Sequence, residues 1–232
     1  DGWVDRLVTT AGSWWAATQA WQRAAHLDSH ELGDLRILLG WPYSTEEIRA
    51  GDRLDDTWIV LGAHRTDDGR LQQQRTWLQG RATGETVQVL DFAAGGAGLP
   101  LPQVVGAELT GPVSRYPGHA PRRALLGDPI TAGGPVSHLP AGGSVEAALD
   151  TMAAGLADNP WCRRMPVLLA DVIVTPEHVV DAAGHALPIT PDTAVWSLLA
   201  HSGGHPCDLF AELEEGRLRV LSAGIEGGVI AL

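Results

Sequence analysis

The chain has 232 residues, enough for one or two domains with a core of their own. Its 28 acidic and 16 basic residues give a net charge of −12, which disfavours nucleic-acid binding through phosphate neutralisation. Two cysteines cannot form a disulfide-rich scaffold or a zinc site of several thiolates, and no apolar run is long enough to cross a membrane. Because the sequence shows no basic stretch of the kind that opens a signal peptide, it predicts a cytoplasmic protein.

The first 27 residues predict one amphipathic helix with a strongly aromatic face. Apolar residues recur at alternating steps of three and four, as the period of an α-helix requires. A stripe of this kind ordinarily packs into the protein core. The alternative is a docking helix whose stripe faces a partner, and the sequence leaves both possibilities open. The stripe consists of Trp3, Leu7, Ala11, Trp14, Thr18, Trp21 and Ala25.

A short helix and then a series of strands are predicted for the rest of the first half. Ser44 is a suitable N-cap for a helix over Thr45–Ala50. Apolar and polar residues then alternate with a period of two, and turn residues at Asp67–Gly69 separate the runs, which is typical of an antiparallel meander. A Gly/Pro-rich loop is expected over residues 93–102. The predicted strands are Trp58–His64, Leu71–Leu78, Thr86–Phe92, Val104–Leu109 and Arg123–Leu126.

Residues 127–143 hold five Gly and three Pro, which marks them as the best candidate linker. The chain is therefore predicted to divide into a subdomain over 1–126, with the N-terminal helix and the β-meander, and a helix-plus-β subdomain over 144–232. The fold class is α+β, with antiparallel β-rich meanders, packing helices and a Trp-rich amphipathic helix at the N-terminus. Elements predicted after the linker are a helix over 144–158, a strand over 167–175, a hairpin over 179–187, a helix over 192–200 and strands over 209–232.

Few motifs in the chain point to catalysis. All 16 basic residues are arginine, which excludes mechanisms that need a lysine. Residues 200–204 fit a relaxed nucleophile elbow, A-x-S-x-G, and give the alternative of a serine hydrolase that uses Ser202 with His201 or His205. The elbow needs a strand before the serine, whereas the pattern here predicts a helix. Two histidine pairs have i,i+4 spacing but no third ligand nearby, so neither a metal site nor a cofactor is predicted.

Five segments together resemble the C-terminal region of bacterial SWIM zinc-finger family proteins. The resemblance implies a role in interactions rather than catalysis, because the family is often encoded beside MoxR-type AAA+ ATPases and von Willebrand A-domain (VWA) proteins. The zinc-binding C-x-C…C-x-H motif of the family would lie N-terminal to these segments, and this sequence contains no such motif, so no zinc ligand is carried over. The segments are Trp58–Gly62, Arg75–Gly80, Val89–Ala93, Tyr116–Ala124 and Trp196–Pro206.

The sequence therefore predicts a non-catalytic protein-interaction or adaptor module of a SWIM-type protein, with a MoxR-type ATPase or a VWA-domain protein as partner. Such a module would act by burying an aromatic patch against its partner. A second alternative is an accessory nucleic-acid contact through Arg122, Arg123, Arg163 and Arg164. The candidate partner-binding residues are Trp3, Trp14, Trp15, Trp21, Trp41, Tyr116, Arg122 and Arg123.

Overall fold

The computed structural model describes residues 2–94, 98–100 and 103–232. Strands hold 42% of the described residues and helices hold 27%, so the prediction of a β-rich α+β fold with an N-terminal Trp-containing helix is confirmed. Half of the predicted Gly/Pro-rich loop over 93–102 lies outside the described residues, and its first two residues belong to a strand that ends at Ala94. Within the described part, no helix combines the length and the apolar character that a membrane crossing requires.

Five α-helices and twelve strands make up the described structure. The helices are α1 (Trp3–Gln22), α2 (Ser29–Leu38), α3 (Thr45–Ala50), α4 (Val145–Asp158) and α5 (Val195–Ser202). The first six strands are β1 (Asp52–Asp67), β2 (Leu71–Gly80), β3 (Thr86–Ala94), β4 (Ala107–Arg115), β5 (Arg122–Leu126) and β6 (Thr131–Pro135). The remaining strands are β7 (Arg164–Val174), β8 (His178–Val180), β9 (Ala186–Pro188), β10 (Cys207–Glu214), β11 (Arg217–Ile225) and β12 (Gly228–Ala231).

The first sheet closes into a barrel. Its strand order is β1-β2-β3-β5-β4-β6, and the N-terminal half of the long strand β1 also pairs with β4. A register shift between Val60 and Gly62 marks a β-bulge in β1. A bulge bends the strand that contains it, as closure of the ring requires. All neighbours in the ring are antiparallel except β3 and β5, which are parallel. This is the connectivity of an OB-type Greek-key barrel, a fold class that does not by itself assign a function.

The barrel interior is apolar, and the alternation along each strand places one residue in two inside it. Sequence periodicity predicts the three strands of the meander correctly, whereas closure of the ring depends on long-range pairing of β1 with β4. The interior residues are Trp58, Val60, Leu78, Val87, Val89, Leu109, Val113 and Ala124.

The second sheet is antiparallel, with the order β12-β11-β10-β7-β8-β9. It curls strongly, because Ile189 just after β9 forms a bridge with Leu218 of β11. Its core is filled by one side of the sheet together with Val145 and Ala148 of α4 and Leu198 of α5. Ser144 caps α4 by accepting a hydrogen bond from the backbone N–H of Ala147, as the sequence predicts for the start of this helix.

The two sheets pack against each other through an apolar layer. Gly62 is essential for this approach, since a Cβ at this position would lie 2.7 Å from the Cβ of Leu221 and 2.9 Å from the ring of Phe210. Ser222 adds a hydrogen bond across the layer from its hydroxyl to the carbonyl oxygen of Leu61. The layer consists of Ile59, Leu61, Trp77, Val136, Leu139, Phe210 and Leu221.

One carboxylate is fully buried where the sheets meet. Glu212 of β10 accepts two hydrogen bonds from the guanidinium of Arg75 on β2, both at 2.9 Å, and one from Trp77 Nε1 at 2.8 Å. Arg164 lies 3.2 Å from the same carboxylate. Burial alone raises the pKa of Glu212, but the hydrogen bonds and charges of these neighbours outweigh it and hold the pKa below its ordinary value.

Segment 127–143 is not an unstructured linker, because it contains β6, which pairs with β4. Val136 and Leu139 of the same segment are buried in the layer between the sheets. The segment therefore joins the two sheets and also takes part in their packing. The division into subdomains at this segment stays a prediction.

Candidate functional site

The aromatic face of α1 is turned towards solvent. Trp3, Trp14 and Trp15 are 64, 59 and 68% exposed. On a helix of 3.6 residues per turn, the apolar side chains of this face fall within an arc of roughly 140°. We call this surface the α1 aromatic face. It is made of Trp3, Val4, Leu7, Val8, Trp14, Trp15 and Trp21, all of them exposed.

The ordinary expectation for such a stripe, burial in the core, is therefore wrong. Packing is confined to the C-terminal half of α1, where the side opposite the indoles carries Ser13, Ala16, Ala17 and Ala20, which are half-buried or buried, and the helix contacts α2. In the N-terminal half, the described residues up to Gly12 are exposed on both sides of the helix. Ala17 is the one fully buried residue in the described part of α1. Small side chains let two helices approach closely, which explains why this side packs and why the large indoles point outwards.

Trp41 extends the α1 aromatic face beyond the helix. Its ring meets that of Trp21 edge to face, with the ring centroids 4.5 Å apart, an arrangement that aromatic pairs favour. Both side chains stay more than 40% exposed. The five tryptophans that the sequence proposes as partner-binding residues are therefore all exposed. They are spread along the helix, with Trp3 about 27 Å from Trp21 at 1.5 Å per residue.

The other three proposed residues lie elsewhere. Tyr116 is buried, at 7% exposure, and so does not form part of an exposed patch. The guanidinium of Arg123 stacks over its ring, 4.6 Å from the centroid. Arg122 is half-buried and donates hydrogen bonds to Asp52 and Glu85. Its charge is therefore neutralised within the chain, whereas a partner-binding arginine would need its charge free.

Ser202 lacks the surroundings of a hydrolytic nucleophile. It is the last residue of α5, and Gly203 ends that helix in the left-handed conformation with φ of 61°. The Ser202 hydroxyl oxygen accepts a hydrogen bond from the backbone N–H of Gly204 at 3.3 Å. No histidine hydrogen-bonds to it among the residues described. The segment is a helix C-cap, so the geometry of a nucleophile elbow is absent from it.

Geometry gives the nucleic-acid alternative no support. Arg122 and Arg164 both donate to carboxylates, and Arg123 stacks on an aromatic ring. Arg163 is exposed and is the one member of the set that points to solvent without a described partner. OB-type barrels bind oligonucleotides on the face formed by the second and third strands. Here Arg75 and Trp77 of that face are buried beneath the second sheet.

A polar cluster that the sequence does not predict lies between α2 and the loop from β4 to β5. The capping box of Asp28 and Glu31 starts α2, and Asp34 of the same helix contacts the loop. Asp34 is buried and accepts a hydrogen bond from the ring Nδ1 of His119 at 2.6 Å. That hydrogen bond raises the pKa of His119, and burial raises the pKa of Asp34.

Neither this cluster nor the two histidine pairs gathers a set of metal ligands among the described residues. Within residues 2–94, 98–100 and 103–232, no three or more His, Cys, Asp or Glu side chains are grouped so as to hold a metal ion. The cysteines are free thiols with poor reactivity, since burial raises the pKa of Cys162 and raises that of Cys207 to about 11.

Comparisons with protein-family models, with curated proteins and with solved structures find no match to this chain.

Proposed function

We propose that this chain is a non-catalytic protein-interaction module that docks a partner protein on the α1 aromatic face. The observation that supports the proposal is the exposure of this face, on a helix whose C-terminal half packs through the small residues of the opposite side. Three tryptophans of the face alone present on the order of 300–480 Å² of apolar surface, if a fully exposed aromatic side chain offers about 150–250 Å². This is the size of the largest apolar patch on a typical monomer, and such patches are often functional.

The size of the face also fits a docking role. A stable protein–protein interface removes about 800 Å² from each partner, and the aliphatic members of the face, together with Trp21 and Trp41, bring the available surface towards that value. Tryptophan is the residue type most enriched among those that dominate binding energy. The partner surface must therefore be an apolar groove wide enough for a helix.

The resemblance to SWIM zinc-finger proteins supplies the candidate partners, a MoxR-type AAA+ ATPase or a VWA-domain protein. Under this proposal the chain is an adaptor that positions such a protein and carries out no chemistry itself. The serine hydrolase alternative is not favoured by any observation at Ser202, and the nucleic-acid alternative is not favoured by any at the four arginines.

The test measures binding of the purified partners to the whole chain and to two variants. Trp15→Ala removes an indole at the centre of the face, whereas Trp196→Ala removes one that is 72% exposed on α5 and outside it. We expect the Trp15 variant to bind the ATPase or the VWA-domain protein at least about 30-fold more weakly, which corresponds to the ~2 kcal/mol of a dominant contact. Trp196→Ala should bind as the unchanged chain does.

Two results would contradict the proposal. One is binding of both variants with equal affinity, which would place the contact elsewhere on the chain. The other is absence of binding by the unchanged chain to either protein. Sedimentation equilibrium of the chain alone, done in parallel, distinguishes a partner from a second copy, because self-association through α1 would give a dimer that Trp15→Ala dissociates.

A further inference from the structure

A small cleft with an excess of positive charge lies where three parts of the molecule meet. One wall is α2, the second is the outer surface of β3 and β5 with the loop between β4 and β5, and the third is the loop after α4. The cleft has a volume of about 200 Å³. Leu90 and Trp161 belong to its apolar walls, and its polar lining consists of Asp34, Gln88, His119, Arg122, Arg123 and Asn159.

Three contacts between α2 and the loop hold the cleft in shape. A Cβ at Gly33 would lie 2.8 Å from the carbonyl carbon of Pro117, so the helix and the loop backbone are in direct contact. His30 Nδ1 lies 2.9 Å from the carbonyl oxygen of Gly118. Asp34 fixes His119 through the ring nitrogen and also accepts from its backbone N–H. A site preorganised in this way binds without first having to order its own groups.

Arg123 is the positive group of the cleft without a counterion. No carboxylate of the described residues lies within ion-pair distance of its guanidinium, and its Nε–H is buried with no hydrogen-bond partner there. The rings of Tyr116 and Phe92 instead hold the guanidinium at 4.6 and 5.6 Å from their centroids. Asp91 is close enough for Arg123 to lower its pKa, although burial raises that pKa more strongly, and the two side chains form neither a hydrogen bond nor an ion pair in the described structure.

The remaining charges of the cleft are balanced inside the chain. Arg122 is neutralised by Asp52 and Glu85, and the negative charge of Asp34 is matched by His119. With its Nδ1 bonded to Asp34, His119 has Nε2 as the ring nitrogen left for a ligand. In a chain with a net charge of −12, an arginine without an ion-pair partner beside the free Nε2 of His119 points to an anionic ligand.

The shape and lining narrow the class of anion. A guanidinium fork binds a carboxylate or a phosphate through two parallel hydrogen bonds. The indole of Trp161 and the side chain of Leu90 add apolar walls. A hydrated phosphate has no apolar part to pack against such walls, whereas an organic carboxylate has one. The volume is below the roughly 300–1,000 Å³ of sites for drug-sized ligands, so the ligand is small.

We propose that this cleft binds a small organic carboxylate, whose carboxylate group is held by Arg123 and His119 and whose apolar part lies against Leu90 and Trp161. The site is separate from the α1 aromatic face, and the proposal does not depend on the proposed function.

The experiment follows the side-chain NMR signals of Arg123 Nε–H and the His119 ring in the whole chain during titration with sodium benzoate. Ionic strength is kept constant with sodium chloride, and benzamide, which has the same ring without the charge, is titrated in parallel. We expect both signals to shift saturably with benzoate and not with benzamide. Arg123→Gln should weaken benzoate binding at least tenfold, as read from His119, while the control Arg70→Gln, in an exposed turn, should leave it unchanged.

Three outcomes would overturn the proposal. The first is a shift that never saturates and equals that of sodium chloride. The second is equal binding of benzoate and benzamide, which would show that the negative charge is not recognised. This comparison uses the unchanged chain and so does not depend on the folding of a variant. The third is benzoate binding that Arg123→Gln leaves intact while the variant keeps the circular dichroism spectrum of the unchanged chain.

Discussion

The buried carboxylate between the two sheets allows a sharp prediction for stability. Glu212→Gln removes the negative charge that neutralises the buried Arg75 while keeping the shape of the side chain. Removing one partner of a buried ion pair costs about 3–5 kcal/mol, because the other charge is left in a low-dielectric environment. That is a large share of the roughly 5–15 kcal/mol by which a domain of this kind is stable.

A matched control lies two residues away on the same strand. Glu214 pairs with Arg164 at 2.6 Å, but both side chains are more than a quarter exposed, so Glu214→Gln should cost no more than about 1 kcal/mol. The measurement is urea unfolding followed by circular dichroism, with the free energy of unfolding compared at an unchanged m-value. Equal, small losses for the two variants would refute the assignment of Glu212 as the group that stabilises the sheet junction.

The same carboxylate predicts a pH dependence with a definite sign. The pKa of Glu212 is lower in the folded chain than its ordinary value. Its contribution to stability is therefore complete above the unfolded pKa of about 4.3 and is lost as the pH falls through the folded pKa. The Glu212→Gln variant should lose less stability than the unchanged chain over that acidic range.

Three further predictions concern other sites. Asp34→Asn should bring the NMR titration midpoint of His119 down towards the ordinary value of 6.5, because the hydrogen bond to Asp34 raises the pKa of His119. In the unchanged chain the pair of Asp34 and His119 stabilises the fold below pH 6.5, and this contribution is lost as the pH rises through the pKa of His119 in the folded chain. An unshifted midpoint would show that the ion pair does not form. Gly62→Ala should cost about 1–3 kcal/mol in urea unfolding, since the new methyl group forces the sheets apart at Leu221; a neutral effect would contradict the close packing. Cys207, with a pKa of about 11, should react with iodoacetamide at pH 8 far more slowly in the native chain than in urea, and equal rates would show that it is accessible.

The fold could be predicted from the sequence where the signal is local. Period-two alternation and turn residues locate β1 to β3, and Ser44 and Ser144 mark the starts of α3 and α4 correctly. Closure of the barrel and packing of the second sheet against it could not be predicted, because they depend on contacts between residues far apart in the chain, such as β1 with β4. The Arg75–Glu212 pair, separated by 137 residues, is invisible to any local pattern.

Periodicity located the α1 stripe but left open whether it faces the core or solvent. A helical period shows which residues share a face, yet it does not show whether that face meets the core or solvent. Here the small residues on the opposite side decide the packing. For Tyr116 the sequence suggests the wrong environment. A tyrosine close to two arginines suggests a surface contact, but in the structure Arg123 of β5 stacks over the ring and the tyrosine is buried.

The most direct test of the docking role is site-specific photo-crosslinking in source cells. A benzoylphenylalanine placed at position 15, in the centre of the α1 aromatic face, reports any protein within contact distance, and the same group at position 196 serves as an exposed control. We predict that position 15 crosslinks to one partner protein, a MoxR-type ATPase or a VWA-domain protein, and that position 196 does not. Crosslinking to the same proteins from both positions, or to none from position 15, would contradict the assignment of the α1 aromatic face as a docking surface.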